Sequence, residues 1–505
     1  MMSTLRSVAL WLERRLHLVK LWEQTAGHPV PKSTGSWFYT FGSMTLTCFV
    51  IQIVTGIFLA MAYTPSAAEA YHSLELLNYN YPLGWVLRGI HYWGSTMMVI
   101  VMILHMTQVF LWGAYKYPRE ATWLSGLGLL LLTLGLAFSG QVMRFDTDAY
   151  WGIGIGVAIA GRIPVIGEPV VNLLLGGPII GTDALSRFFS LHVFILPGAL
   201  LAFLGLHLRL VLGKGINEQP KPGVLVKRDT YDAHYEEIIK REGVPFVPGV
   251  IDKDIVANGV MIIVIVALAL FVGPKGPGIP ANPTIQISDA RPDYPFDWLF
   301  AAAALLPNGS EYFLFFIFPA VAALVLLGLP FVTNQGEKHW SRRPVAVAIV
   351  IVSYLGIGLL TYEGLTGPWS PIMDAWSSLP IKAEYLKGRT PLELEGAVVF
   401  QNNQCRNCHT IAGTGGQRGP DLTRVATRMT NPQLVRQVIQ GGGNMPAFGK
   451  TLSPEKVRAL VAYLCSLHPP NVPPAREAVG VLKPIGESQP TPSPTPAPVA
   501  VTSEK

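Results

Sequence analysis

"RGIHYWGSTMMVIVMILHMTQ", residues 88–108, is apolar enough to cross a bilayer, yet it carries two histidines, His91 and His105. An ionisable side chain inside a membrane helix is costly unless it has a partner. A second apolar stretch, "FFSLHVFILPGALLAFLGLHLRL" at 188–210, carries His192 and His207. The first pair is 14 residues apart and the second 15. At 100° per residue both spacings return to nearly one helix face, about 21–22 Å apart along the axis.

The rest of the chain supports the membrane reading. Of 505 residues 50% are hydrophobic and 14% charged, against roughly a quarter charged in soluble domains. A span needs about 20 mostly apolar residues, and seven stretches qualify, near 38–62, 85–112, 122–142, 187–212, 255–273, 312–333 and 344–363. The expected fold class is all-α, a polytopic membrane helix bundle of about seven spans with a small α-helical C-terminal domain. The net charge of +6 fits basic cytoplasmic loops and calls for no nucleic acid. "LRSVALWLERRLHLVKLWEQ" at 5–24 interleaves charged and apolar residues and reads as an amphipathic surface helix, not a cleavable signal.

Lys and Arg set the orientation. The N-terminal segment and the loops at 114–121, 209–254 and 335–343 hold eighteen of them, against four in the alternate loops. The first group is therefore cytoplasmic (the n side), and the chain beyond the seventh span lies on the opposite, p side. Spans two and four run in the same direction, so His91 lies level with His192, and His105 with His207. Paired neutral imidazoles on facing helices are the ligands of low-spin haem iron. Two alternatives stand beside this: four unrelated histidines bonded to their neighbours, or zinc, for which two ligands per level fall short of a closed site.

With these residues in view, the chain resembles the cytochrome b of quinol–cytochrome c oxidoreductases, closest to its bf-like branch. The matching stretches are "LRGIHYWGS" (87–95), "GAYKYPREATW" (113–123), "IPVIG" (163–167), "SRFFSLHVFILP" (186–197) and "PFVTNQGEKHWSRRPV" (330–345). The resemblance covers about residues 10–365 and implies two noncovalent b-type haems, held by His91 with His192 and by His105 with His207. It also implies that Gly42, Gly56, Gly126 and Gly140 let haem approach the helix backbone, and that Arg88 and Arg187 pair with haem propionates. Read without the family, the glycines are small-residue helix packing and the arginines interfacial anchors.

The family oxidises quinol next to a "PEWY" motif, and here the region reads "ARPDYPFDWLF". Asp297 stands where the glutamate would, with Asp293 as a rival base; both also read as loop solvation. The family's "PWDQ" appears as "RFDT" at 144–147, which puts Arg144 in place of proline and makes Asp146 its expected partner. Tyr39-Thr40 replaces the branch's "YC", so an extra n-side haem has no thioether there, and a noncovalent one stays open. Cys48 reads as a small buried residue.

"QNNQCRNCHTIAG" holds Cys405, Cys408 and His409 in the C-x-x-C-H spacing that attaches c-type haem. "RGPDL" at 418–422, "GGGNMPAFG" at 441–449 with Met445 as second axial ligand, and the helical "SPEKVRALVAYLCSL" at 453–467 follow in the order of small class I cytochromes c. Cys465, without such a motif, reads as a core residue. The expected organisation is a surface helix at 1–35, a di-haem four-helix module at 36–215, a cytoplasmic linker at 216–254 and a three-helix module at 255–365. A linker at 366–388, a cytochrome c domain at 389–470 and a disordered Pro-rich tail at 471–505 complete it.

The resemblance implies the core subunit of a bacterial quinol–cytochrome c oxidoreductase in the inner membrane. Quinol oxidation on the p side would feed one electron through the b haems to quinone on the n side. The other would pass through the c haem to a soluble cytochrome c or similar acceptor, with proton translocation. No Rieske ligand motif is present in the sequence, so a separate Rieske iron–sulfur protein, within a dimeric complex, is implied. The rival expectations are a non-bifurcating quinol dehydrogenase or quinone reductase, and a membrane-anchored electron carrier.

Overall fold

The runs of Leu, Ile, Val and Phe become seven long helices, α1 (Trp37–Ala62), α2 (Gly84–Leu111), α3 (Glu120–Val142), α4 (Thr182–Lys214), α5 (Asp252–Phe271), α6 (Phe313–Val332) and α7 (Pro344–Thr366). Each is at least 20 residues long, enough to cross about 30 Å of hydrocarbon. The computed structural model describes residues 10–176, 180–281, 291–307, 310, 312–367, 381–415, 419–441, 445, 447–449 and 451–475. The interior of the expected linker and the tail beyond 475 lie outside the described residues. Two compact units emerge, residues 1–375 with 440–448, and 376–439 with 449–505.

In the first unit the chain pairs neighbours in sequence, α1 against α2 and α3 against α4, while α5 packs on both α1 and α2. Cys48, Phe49, Met98, Val101, Leu200, Met261 and Ile265 form the buried seam between these helices. Cys48 is fully buried, with its Sγ 3.5 Å from Met261 Sδ. Phe58, Leu131, Phe194 and Ile263 face outward, the pattern of a bundle whose surroundings are apolar. The N-terminal helix Leu18–Gln24 buries none of its residues, and Leu18, Val19, Leu21 and Trp22 are exposed.

Helix α4 is not a regular α-helix. Residues Leu191–Ile195 form a π-turn, in which the Leu196 N–H bonds Leu191 O five residues back. Pro197 follows and supplies the cause: it has no N–H to give, and its ring crowds the carbonyl four residues earlier, so the helix widens. Helix α6 repeats the device, with a π-turn at Phe313–Ile317 ahead of Pro319.

The second unit is small. Helix α8 (Pro391–Asn402) starts with a capping box between Thr390 and Glu393 and packs across α10 (Pro454–Cys465). Gly396 makes the crossing close, because a Cβ there would overlap the Ala459 carbonyl. Helix α9 (Asn431–Gln440) buries Leu434 and Val438. Among the described residues the strands are three short antiparallel pairs, one of them joining Thr410–Ile411 to Thr414–Gly415 just after the C-x-x-C-H motif.

Candidate functional site

Helices α2 and α4 bring the four histidines together in two levels. At the first, the His91 and His192 rings face each other with centroids 6.3 Å apart and planes at 70°. A metal bond of about 2 Å to each ring, plus roughly 1.1 Å from ring nitrogen to ring centre on either side, predicts about this spacing for one iron between two imidazoles. At the second level His105 and His207 line one cavity with Met102, Met106, Val109, Trp123, Leu127 and Leu130, while Tyr39, Gln108, Arg119 and Asn217 supply its polar atoms. An apolar chamber with a polar part suits a flat apolar macrocycle that carries two propionates. The residues therefore fit b-type haem at both levels.

The extra residue between His192 and His207 is absorbed by the π-turn. A regular helix would rotate one histidine by about 100° relative to the spacing on α2; the widened turn takes up one residue and restores the common face.

Each of the four glycines sits under one imidazole. A Cβ on Gly42 would lie 3.4 Å from His105 Cε1, on Gly56 3.3 Å from His91 Cε1, on Gly126 3.5 Å from His207 Cε1 and on Gly140 2.8 Å from His192 Cε1. The direct observation is clearance for the histidine rings. A hydroxyl directly before three of these glycines orients the same rings. Thr55 Oγ1 is 2.8 Å from His91 Nδ1, Ser139 Oγ 2.9 Å from His192 Nδ1, and Ser125 Oγ 2.9 Å from His207 Nδ1. With Nδ1–H donating to the hydroxyl, Nε2 carries the lone pair for iron. Phe41 precedes Gly42, and among the described residues His105 has no such hydroxyl. In the sequence these partners show only as Thr-Gly and Ser-Gly pairs, and such a pair does not tell a ring partner from a hydroxyl bonded to its own preceding turn.

Arg88 is buried, donates from Nη2 to the Lys275 carbonyl at 2.7 Å and to that of Gly276, and keeps Nε and Nη1 without a partner among the described residues. Arg187 donates to the carbonyls of Asn172, at 2.8 Å, and Leu173, so it closes the C-terminal end of helix Gly167–Leu175. Arg88 thus keeps two buried donors for a propionate, whereas Arg187 is half-buried and spends Nη1 on the helix end.

Asp146, Asp293 and Asp297 lie in one buried group with Arg144. Asp146 caps helix Thr147–Gly161, accepting from the Ala149 N–H at 2.9 Å, and also accepts from the Gly278 N–H at 2.9 Å. Asp293 is held by Arg144 Nη1 at 2.7 Å and Lys275 Nζ at 2.5 Å. Asp297 opens helix Asp297–Leu305, and no hydrogen bond reaches its carboxylate among the described residues. Burial and the neighbouring Asp293 push its pKa up, against the opposing pull of Lys275 and Arg291.

Two buried ion pairs were not legible in the sequence. Lys253 pairs with Asp254, whose Oδ1 accepts from Ser43 Oγ at 2.5 Å, and Ser43 is the residue after Gly42. Lys338 Nζ meets Glu218 Oε1 at 2.7 Å, and Tyr231 links Glu218 to Arg119 through bonds of 2.7 Å each. Thr40, which stands where a thioether cysteine would, donates to the Trp37 carbonyl at 2.8 Å. Among the described residues no three His, Cys, Asp or Glu converge on a metal, so each level offers the two ligands of haem and not the four of zinc.

In the second unit Cys405 opens and Cys408 follows a short 3-10 turn, Cys405–Asn407, and the His409 N–H bonds Cys405 O at 3.0 Å. His409 is buried, with Nδ1 2.9 Å from the Pro420 carbonyl. That bond makes Nδ1 the donor and leaves Nε2 for iron. A Cβ on Gly419 would overlap the same ring, which explains the Gly-Pro step. These residues fit covalent c-type haem. Cys465 is half-buried on α10.

Residues 26–215 match the family model described as cytochrome b/b6/petB, and residues 392–464 match that of cytochrome c oxidase, cbb3-type, subunit III. Cytochrome b6 of Heliobacterium mobile is 39% identical over 209 residues, which cover 41% of this chain and 98% of that protein. The menaquinol:cytochrome c reductase cytochrome b subunit of Geobacillus thermodenitrificans is 37% identical over 214 residues, 41% of this chain and 96% of that one. A solved hyperthermophilic respiratory Complex III is similar with a TM-score of 0.60 and 26% identity, covering 71% of this chain and 91% of that chain.

Proposed function

This chain belongs to the cytochrome b/b6 family, and from that premise we propose that it is the haem-bearing core of a quinol–cytochrome c oxidoreductase with its own cytochrome c domain. The observation that carries the reading is the pair of stacked bis-histidine levels in a chain that also holds a C-x-x-C-H motif. Bound there, the haems supply one-electron couples that move charge between the two levels and out to a soluble acceptor.

The Lys and Arg distribution puts the first level on the p side and the second on the n side of a bacterial cytoplasmic membrane. Asp297 is then the base that takes a proton from quinol, being buried, near the first level and, among the described residues, without a hydrogen-bonded partner. At the second level the buried Lys253–Asp254 pair, bonded to Ser43 beside the His105 glycine, supplies protons for quinone reduction. Cys405, Cys408 and His409 hold the c haem, and Met445, as read from the sequence, completes its axial pair. A separate Rieske protein in a dimeric complex receives the first electron.

Bifurcation tests this directly. Quinol is added to the purified complex, then an oxidant for the c haem, and the b haems are followed optically. The proposed reaction predicts that oxidant drives transient b-haem reduction. Simple reoxidation of the b haems would contradict it.

A further inference from the structure

The first level holds more buried charge than a single base requires. Arg144 is 8% exposed, Asp146 2%, Asp293 8% and Asp297 4%. Asp146 is spent on the helix cap and on Gly278. Arg144 reaches Asp146 Oδ2 with Nε at 3.3 Å and Asp293 Oδ2 with Nη1 at 2.7 Å, and Lys275 holds the other oxygen of Asp293. The backbone between Asp293 and Asp297 turns tightly, with the Phe296 N–H bonded to Asp293 O at 2.9 Å. Two carboxylates thus sit one turn apart. One has two cations; the other has no hydrogen-bond donor among the described residues.

We infer that Arg144 is a positioning residue for quinol oxidation: it locks Asp293 as a fixed anion beside Asp297 and so reserves Asp297 as the proton acceptor. The inference rests on the reading of Asp297 given above. Of two neighbouring carboxylates, the one with the cations keeps its charge, and that charge strengthens proton binding at the other. In the step itself one quinol O–H breaks and one Asp297 O–H forms. The electrons leave to the Rieske and b-haem acceptors already proposed.

Other charged groups flank the pair, and the two arginines among them are bonded to backbone carbonyls. Arg88 is bonded to the carbonyls of Lys275 and Gly276, and Arg291 to those of Gly364 and Gly367 at 2.6 Å each. Asp148, in the first turn of the helix that Asp146 caps, is raised by its own burial. Glu363 is the acidic residue beside Gly364 on α7, the helix that packs on Asp297–Leu305.

The test is the pH dependence of quinol-driven b-haem reduction in the haem-loaded complex, with 2,3-dimethyl-1,4-naphthoquinol as the probe. Arg144→Gln removes a cation, so the pH below which the rate falls should move up by roughly one unit. Asp293→Asn removes an anion and should move it down by a similar amount, while Arg144→Lys stays near the parent. Haem spectra should be unchanged in all three. Equal limbs in Arg144→Gln and Asp293→Asn, or shifts of the same sign, would overturn the inference. If Arg144→Gln fails to assemble, the near-isosteric Asp293→Asn alone decides, by shifting down or not. Asp297→Asn separates the two levels of the argument. A parental rate and limb there would refute Asp297 as the base, whereas a lost rate with unmoved Arg144 and Asp293 variants would refute only the role of Arg144.

Discussion

A glycine and the hydroxyl beside it decide how each imidazole stands. The glycine removes the Cβ that would meet the ring, and the hydroxyl fixes the ring nitrogen that must carry a proton. The four clearances are unequal, and that inequality is testable. Gly140→Ala brings a Cβ to 2.8 Å of His192, whereas Gly126→Ala stays at an ordinary 3.5 Å from His207. Overpacking of this kind costs about 1–3 kcal/mol, so Gly140→Ala should weaken haem binding at the first level by roughly 5- to 150-fold. Haem extraction and optical titration of the two variants would check the ranking. The role of the glycines came only from the family resemblance, whereas the histidines were readable from their spacing. The hydroxyls were not, because a membrane Ser or Thr bonds its own preceding turn by default, as Thr55 still does with Ile51 O at 2.6 Å. Nor does the sequence say which carboxylate is free. That depends on Arg144 meeting Asp293, 149 positions away.

The π-turn of α4 is the element on which the two levels depend. The seven spans were legible to within a few residues, because a bilayer imposes length and apolarity on every helix that crosses it. The turn was not, since proline tolerates several local solutions in a membrane helix, from a kink to a bulge. Its consequence is a matter of angle. Pro197→Ala removes its cause, and a regular helix would turn His192 by about 100° from its present setting relative to His207. That variant should lose more than half of the first-level haem while keeping the second, as read from the b-type absorbance. Deleting Ile195 in the same background sets the histidines 14 positions apart, as on α2, and should restore it. Loss of both haems in Pro197→Ala would point instead to general misfolding of the helix.

At the scale of the molecule, a membrane bundle and a C-x-x-C-H domain share one chain. The change of composition after residue 363 and the basic loops pointed to that organisation, as both are whole-segment properties. The buried pairs Lys253–Asp254 and Lys338–Glu218 were hidden, because charged residues in a loop sequence read as solvated until the fold covers them. The measurement that tests the central claim most directly is an anaerobic redox titration of the purified protein, followed optically. Two b-type transitions and one c-type transition are predicted, with His91→Ala and His105→Ala each removing a different b-type transition. Fewer than two b-type transitions in the parent protein, or the same transition lost in both variants, would contradict the account.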